Sequence, residues 1–577
     1  MSVPCSAYRS TLLPLLLGLA ATASTAHAGS DDVDGSRATM AAMIERFTVD
    51  RGSLERTLSV PMSTVRHTRF ERFYGDWLRA LSAVDFDALD RPGQVDYLLL
   101  QDLLRFESSE LEHAAARDAE LASLLPFAAR LVALLDARQT MQPVDSAAVA
   151  DVLAELTAEV ERTRDAVADG ELVAERTLAG RGARRVGELR RALSDYNRFY
   201  DRYDPDYSWW ARAPFDTLHD GLERLASVIR EKLSRTEDSD AILGDPIGRA
   251  ALLDGLAHEW IPYTPEELIE IAEQEFAWCE AERLRAAADL GFGADWRAAL
   301  EHVKGLHVAP GDQPTLIRDL AHEAVDFLEE HELVTIPELA KESWRMRMMT
   351  PERQKVNPYF TGGEVISVSF PTSGMTHEQK LMSMRGNNIH FSRATVHHEL
   401  IPGHHLQMFM NQRYRTYRRV FGTPFWLEGW ALYWEMLLWD QGFQRSAEDR
   451  TGMLFWRSHR CARIIFSLSF HLGRMTADEA IEFLIERVGH ERNNATAEVR
   501  RSVAGNYSPL YQAAYMLGGL QFRALHKELV ESGRMTDREM HDFILRQGSI
   551  PIELLRASMT DQSLSREFRP SWRFYHH

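Results

Sequence analysis

Helical periodicity with explicit starting signals runs through nearly the whole of this chain, and it limits the fold more than any other feature. Val149, Leu153, Leu156, Val160 and Val167 recur at threes and fours with one heptad step, so they share a helical face opposite the charges. Thr264-Pro265-Glu266-Glu267 has the form of a capping box with proline at the first helical position. Thr476 with Glu479 and Thr536 with Glu539 repeat the box. The best alternating stretch is "EVISVSF", 364–370, set between Gly362-Gly363 and Pro371. A mostly α protein with one small β element is expected.

The turn-rich "HVAPGDQPT", 307–315, is the clearest interruption in the middle of the chain. It divides an N-terminal helical region, 29–310, from a C-terminal region, 311–577, that holds the chemistry; one continuous domain with a long loop is the alternative. The aromatic-rich "DYSWWARAPF" reads as a packed loop. A net charge of −19 excludes nucleic acid as the expected partner, because phosphate binding needs clustered Lys and Arg.

The first 28 residues read as a secretory signal peptide. Arg9 precedes the apolar run "LLPLLLGLAA", and Ala26-His27-Ala28 has the small-residue pattern of a cleavage site. The run is too short for a membrane span, which needs about 20 apolar residues, and no other run is long enough. A periplasmic or secreted protein is expected, with Cys279 and Cys461 left after Cys5 departs. Both lie in helix-like segments, where a buried free thiol is the usual outcome, although an oxidising compartment permits pairing.

The chemistry concentrates in "ATVHHELIPGHHLQ", 394–407. A hydrolytic zinc site needs three protein ligands and an open position, and imidazoles with a carboxylate are its usual donors. His398-Glu399 begins like a zinc helix in which a second histidine follows four residues on, yet Pro402 stands there. His404 or His405 is then the candidate second ligand. On an unbroken helix His398 and His404 would diverge by about 120° and lie about 9 Å apart along the axis. Pro402 cannot donate to the His398 carbonyl, and Gly403 supplies backbone freedom, so a two-residue bulge is expected to return His404 to the face of His398. The third ligand is expected from "WLEGWALYWE", where Glu428 and Glu435 stand seven residues apart on one face of an apolar segment. Buried carboxylates there need a partner, and a metal would serve. Other His-Glu pairs, at 258, 322, 377 and 490, lack both companions.

With "NPYFTGGEVISVSFP", "HHELIPGHHLQ", "EGWALYWE" and "YSPLYQAAYMLGGLQFRAL" in place, the sequence resembles a bacterial family known as domain of unknown function 885. That family is similar to the gluzincin metallopeptidases, and more distantly to helical zinc peptidases of the thimet oligopeptidase type. The resemblance implies a large helical fold with a small β element beside the active-site helix and a substrate cleft. It implies Zn2+ held by His398, His404 and Glu428, Glu399 as general base, and Tyr511 as a donor to the oxyanion. Glu435, His405, His397, Tyr507 and Tyr515 are expected around the ligands or the substrate. Tyr507, Tyr511 and Tyr515 share one side of a helix if the segment is helical, and would serve equally as a packing stripe. The implied activity is hydrolysis of oligopeptides, with a peptide strand adding to the edge of 364–370. An amidase or esterase on a non-peptide bond and an idle binding protein of the same fold are the alternatives. The absence of a G-x-S-x-G elbow removes support for a serine hydrolase.

Overall fold

The computed structural model describes residues 35–235, 242–354, 357, 359–504 and 507–575; the expected signal peptide lies outside them. The described chain is mostly α, with one two-stranded sheet. Local chemistry explains many helix starts. Thr264/Glu267, Thr476/Glu479 and Thr536/Glu539 each form a capping box with both reciprocal bonds, and Thr376/Gln379 adds a fourth. The stripe from Val149 to Val167 is buried along the helix Ser146–Ala168.

Three large apolar cores hold the helices together. One gathers Phe47, Phe70 and Leu100 with Trp426, Trp430, Phe522 and Leu554; a second joins Leu268 and Phe276 to Phe466 and Leu517. The third is built within the region before 230, around Leu153, Leu189 and Leu222. Residues on both sides of 307–315 thus share the first two cores. Cys279 and Cys461 are buried free thiols. No described helix is long and apolar enough to cross a membrane.

Strand β1, Arg345–Met348, pairs in parallel with β2, Val365–Val368. Ile366 and Val368 of β2 pack with Val396 and Leu400, which seats the sheet beside the helix Ile389–Glu399. The expected open edge for a peptide strand is corrected at its centre: Thr361 and Ser367 exchange backbone bonds of 2.8 and 3.1 Å on β2. The aromatic "DYSWWARAPF" also departs from expectation. It is helical, within Pro205–Val228, because Asp204 caps the first N–H groups and Pro205 takes the first turn. Trp209 is 82% exposed and Trp210 52%, so neither is packed.

The helix Pro424–Asp440 is buried along nearly its whole length and carries Glu428 and Glu435. It crosses the helix Tyr511–His526 at two glycines. A Cβ on Gly429 would stand 2.5 Å from Gly518 Cα, and one on Gly518 would stand 2.0 Å from the Phe425 carbonyl oxygen. The two backbones touch.

Candidate metal centre

The helix Ile389–Glu399 starts at Asn388, whose side chain accepts from the His390 and Phe391 N–H groups. It stops at Glu399, and a second helix, His404–Asn411, follows a tight turn. The expectation of a single bulged helix is therefore corrected: the helix is interrupted. Pro402 offers no N–H to continue it. The Gly403 N–H instead reaches back to the His397 carbonyl at 3.0 Å, and the Trp430 indole donates to the Pro402 carbonyl at 2.8 Å. Gly403 has an ordinary φ of −77°, so freedom at φ is not what the turn asks of it. A Cβ there would lie 1.8 Å from the His398 carbonyl oxygen. Gly403→Ala is accordingly expected to push His398 and His404 apart and to weaken metal binding roughly 10-fold or more. Unchanged affinity in a calorimetric zinc titration would show that the turn relaxes around a methyl group.

The interruption brings His398 and His404 together. Their ring centroids lie 4.9 Å apart and nearly perpendicular. The Nε2 atoms of His398 and His404 stand 3.5 and 3.2 Å from Oε2 of Glu428. Ligand atoms from all three buried residues fall within 4.8 Å of one another, and no other such group of His, Cys, Asp or Glu occurs among the described residues. Oε2 of Glu428 is buried without a well-aligned hydrogen bond. A buried carboxylate oxygen faced by two imidazole nitrogens and lacking a proper donor fits a cation.

The surroundings orient these groups. His398 Nδ1 bonds Oε1 of Glu435 at 2.7 Å, and Arg460 braces the same oxygen at 3.4 Å. Gln407, one turn beyond His404, meets its Nδ1 at 2.8 Å and the Leu427 carbonyl at 2.9 Å. The Tyr511 hydroxyl donates to Oε1 of Glu428. Burial opposes a charge on His398, but its bonds to Glu428 and Glu435 outweigh that and lift its pKa to about 9. Burial would likewise raise Glu428, yet His404 and His398 hold it well below the usual carboxylate range. Glu399 is raised, chiefly by burial, while His398 and His404 pull the other way. Its backbone lies under the Gly362-Gly363 turn: the Gly363 N–H bonds the Glu399 carbonyl at 3.1 Å, and a Cβ on Gly362 would stand 2.5 Å from Oε2.

The remaining expected residues separate. His405 turns to the helix Glu338–Ser343, its Nε2 on the Ala340 carbonyl at 2.7 Å. His397 bonds the Arg393 carbonyl of its own helix at 3.1 Å and packs on Phe443, and burial pushes its pKa down to about 4. Tyr515 lies parallel to His398 at 6.1 Å. Tyr507 precedes the helix that begins at Tyr511, which corrects a shared helical side, but the two rings still meet at 4.4 Å. Gln407, Arg460 and the Gly362 contact were not anticipated. The i, i+3 spacing from His404 could have pointed to Gln407; nothing local marks Arg460.

Fold and site together define a mostly helical protein with two imidazoles and a carboxylate converging in its interior. The model of the family described as "Bacterial protein of unknown function (DUF885)" matches residues 46–559, and the chain belongs to that family. Two solved structures share the fold. One is a "putative lipoprotein of unknown function" from Shewanella oneidensis, 18% identical, with a TM-score of 0.66 over 90% of this chain and 99% of that one. The other is a "putative lipoprotein" from Colwellia psychrerythraea, 15% identical, with a TM-score of 0.58 over 91% and 99%. No curated protein sequence matches the chain.

Proposed function

We propose that the protein is an exported zinc-dependent peptidase with Glu399 as its general base. The observation that carries this reading is the convergence of His398, His404 and Glu428 on one buried oxygen that lacks an aligned donor. Two imidazoles and one carboxylate form a donor set used by hydrolytic zinc sites, and they leave a coordination position open. Bound there, zinc would polarise the scissile carbonyl and lower the pKa of water. The lipoprotein descriptions of the two structural relatives support export.

The chain's own groups then divide the work. Glu435 accepts a hydrogen bond from the Nδ1–H of His398 and so presents the Nε2 lone pair towards the cation. Glu399 accepts a proton from the attacking water and returns it to the leaving amine. Tyr511, whose single O–H points to Glu428, would serve the developing oxyanion by turning that O–H away from the carboxylate.

Metal analysis of the purified protein with a mixed-peptide digest read by mass spectrometry tests the reading. Zinc-loaded protein is expected to cut peptides, chelation to stop it, and added zinc to restore it. A fully zinc-loaded protein that leaves a diverse peptide mixture intact would refute the assignment.

A further inference from the structure

A cavity of about 960 Å3 lies where the helices Arg91–Ala119 and Arg176–Tyr200 meet the helix Gly248–His258 and the loop 508–510. That volume is in the range that admits a small organic ligand. Glu110, Ala114 and Arg184 in its wall are exposed, whereas Glu259 is only 9% exposed. His398, His404 and Glu428 do not line it, so it is a site apart from the metal centre.

The charges of the lining do not cancel. Arg117, Arg181 and Arg184 converge on Asp245, the last two at 3.0 and 2.9 Å, and Arg181 also takes Glu120. Arg185 holds Asp118 at 2.8 Å and Glu188 at 2.6 Å, so these guanidiniums are matched by as many carboxylates. His113 and His258 have acids of their own, Asp254 at 2.8 Å and Asp102 at 2.7 Å. Glu110 and Glu259 are left over: neither forms an ion pair with a described residue, and both lie within the reach of His258. Oε2 of Glu259 receives the Thr423 hydroxyl, while Oε1 has no donor among the described residues. Burial pushes the Glu259 pKa up to about 7, against the pull of His258 and of the Thr423 hydrogen bond. A buried carboxyl without a cation is costly, and a cation brought by a ligand would relieve it.

We propose that this cavity is a second binding site, which takes a short peptide by a cationic group paired with Glu259, while Glu110 adds charge at the rim and Ile247, Ala251 and Leu510 meet the apolar part. The free N-terminus of the peptide and a basic side chain share this chemistry. An occupant also rests against the starts of both helices that build the metal centre. Thr423, which donates to Glu259, caps the helix of Glu428, and Leu510 directly precedes Tyr511.

Three tetrapeptide amides separate the sources: one with a free N-terminus, one N-acetylated, and one N-acetylated with a single lysine. Calorimetry in Glu399→Gln protein measures their binding without turnover, and the site does not depend on the peptidase reading. At least one cationic peptide is expected to bind roughly 10- to 100-fold more tightly than the neutral one, with zinc present or removed. Preference for the free N-terminus alone identifies the chain start; preference for the lysine peptide identifies a side chain. Adding Glu259→Gln should remove most of the preference. Ala114→Trp, at the exposed wall, should weaken cationic binding by filling the mouth, and it carries the test if Glu259→Gln fails to fold. Equal binding of all three peptides, or a preference that survives both substitutions, would overturn the site. A preference lost on removal of zinc would overturn it too, and assign the cationic group to the metal centre.

Discussion

Glu399→Gln protein is expected to bind zinc as the wild type does, to melt at the same temperature, and to lose turnover roughly 100- to 10,000-fold. Glu399 is absent from the converging trio, so replacing its carboxylate leaves all three ligand atoms in place. The amide keeps the shape of the side chain beneath Gly362 but cannot take up a proton. Glu428→Ala supplies the contrast, since it removes a ligand and leaves the two imidazoles without their carboxylate. Metal content by mass spectrometry, together with kcat on a peptide cut by the wild type, separates the two. Full activity in zinc-loaded Glu399→Gln would remove Glu399 from the mechanism, and loss of its zinc would make it a ligand.

His404→Ala should abolish zinc binding, whereas His405→Ala should retain zinc and lower thermal stability. The adjacent histidines diverge because the second helix begins at His404, which sends His404 to Glu428 and His405 to Ala340. Removing the His405 ring leaves the Ala340 carbonyl without its 2.7 Å partner, a buried loss of about 1–3 kcal/mol. Zinc titration and thermal melts of both variants decide the matter. Zinc lost from His405→Ala and kept by His404→Ala would reverse the assignment.

Local chemistry was readable where it acts locally. The three expected capping boxes depend on residues three apart, and each forms. The grouping of His398, His404 and Glu428 was legible because buried carboxylates and clustered imidazoles need one another in an apolar setting. Pro402-Gly403 marked where the helix must change, but not how. The turn that replaces the helix there is met by the Trp430 indole at the Pro402 carbonyl, a contact spanning 28 residues that no local pattern marks. β1 escaped notice because "RMRM" has no buried alternating face; its partner is specified by the sheet alone. The helix through Trp209 and Trp210 follows from Asp204 and Pro205, a local start signal that outweighs the aromatic content of the segment. Arg460 lies far along the chain from the histidines, and only the tertiary fold brings it to Glu435.

The crossing at Gly429 and Gly518 has a bearing on ligand design. With main chain against main chain, there is no side-chain layer to repack, so the helices carrying Glu428 and Tyr511 behave as a single stiff beam. Ligands that reach Tyr511 and Glu428 would meet a wall of fixed outline, and their ranking should follow shape fit. On the other side the Gly362-Gly363 turn also meets Glu399 main chain to main chain, a Cβ on Gly362 standing 2.2 Å from the Glu399 carbonyl oxygen. Backbone contacts on both sides leave outline, more than repacking, to decide what is admitted.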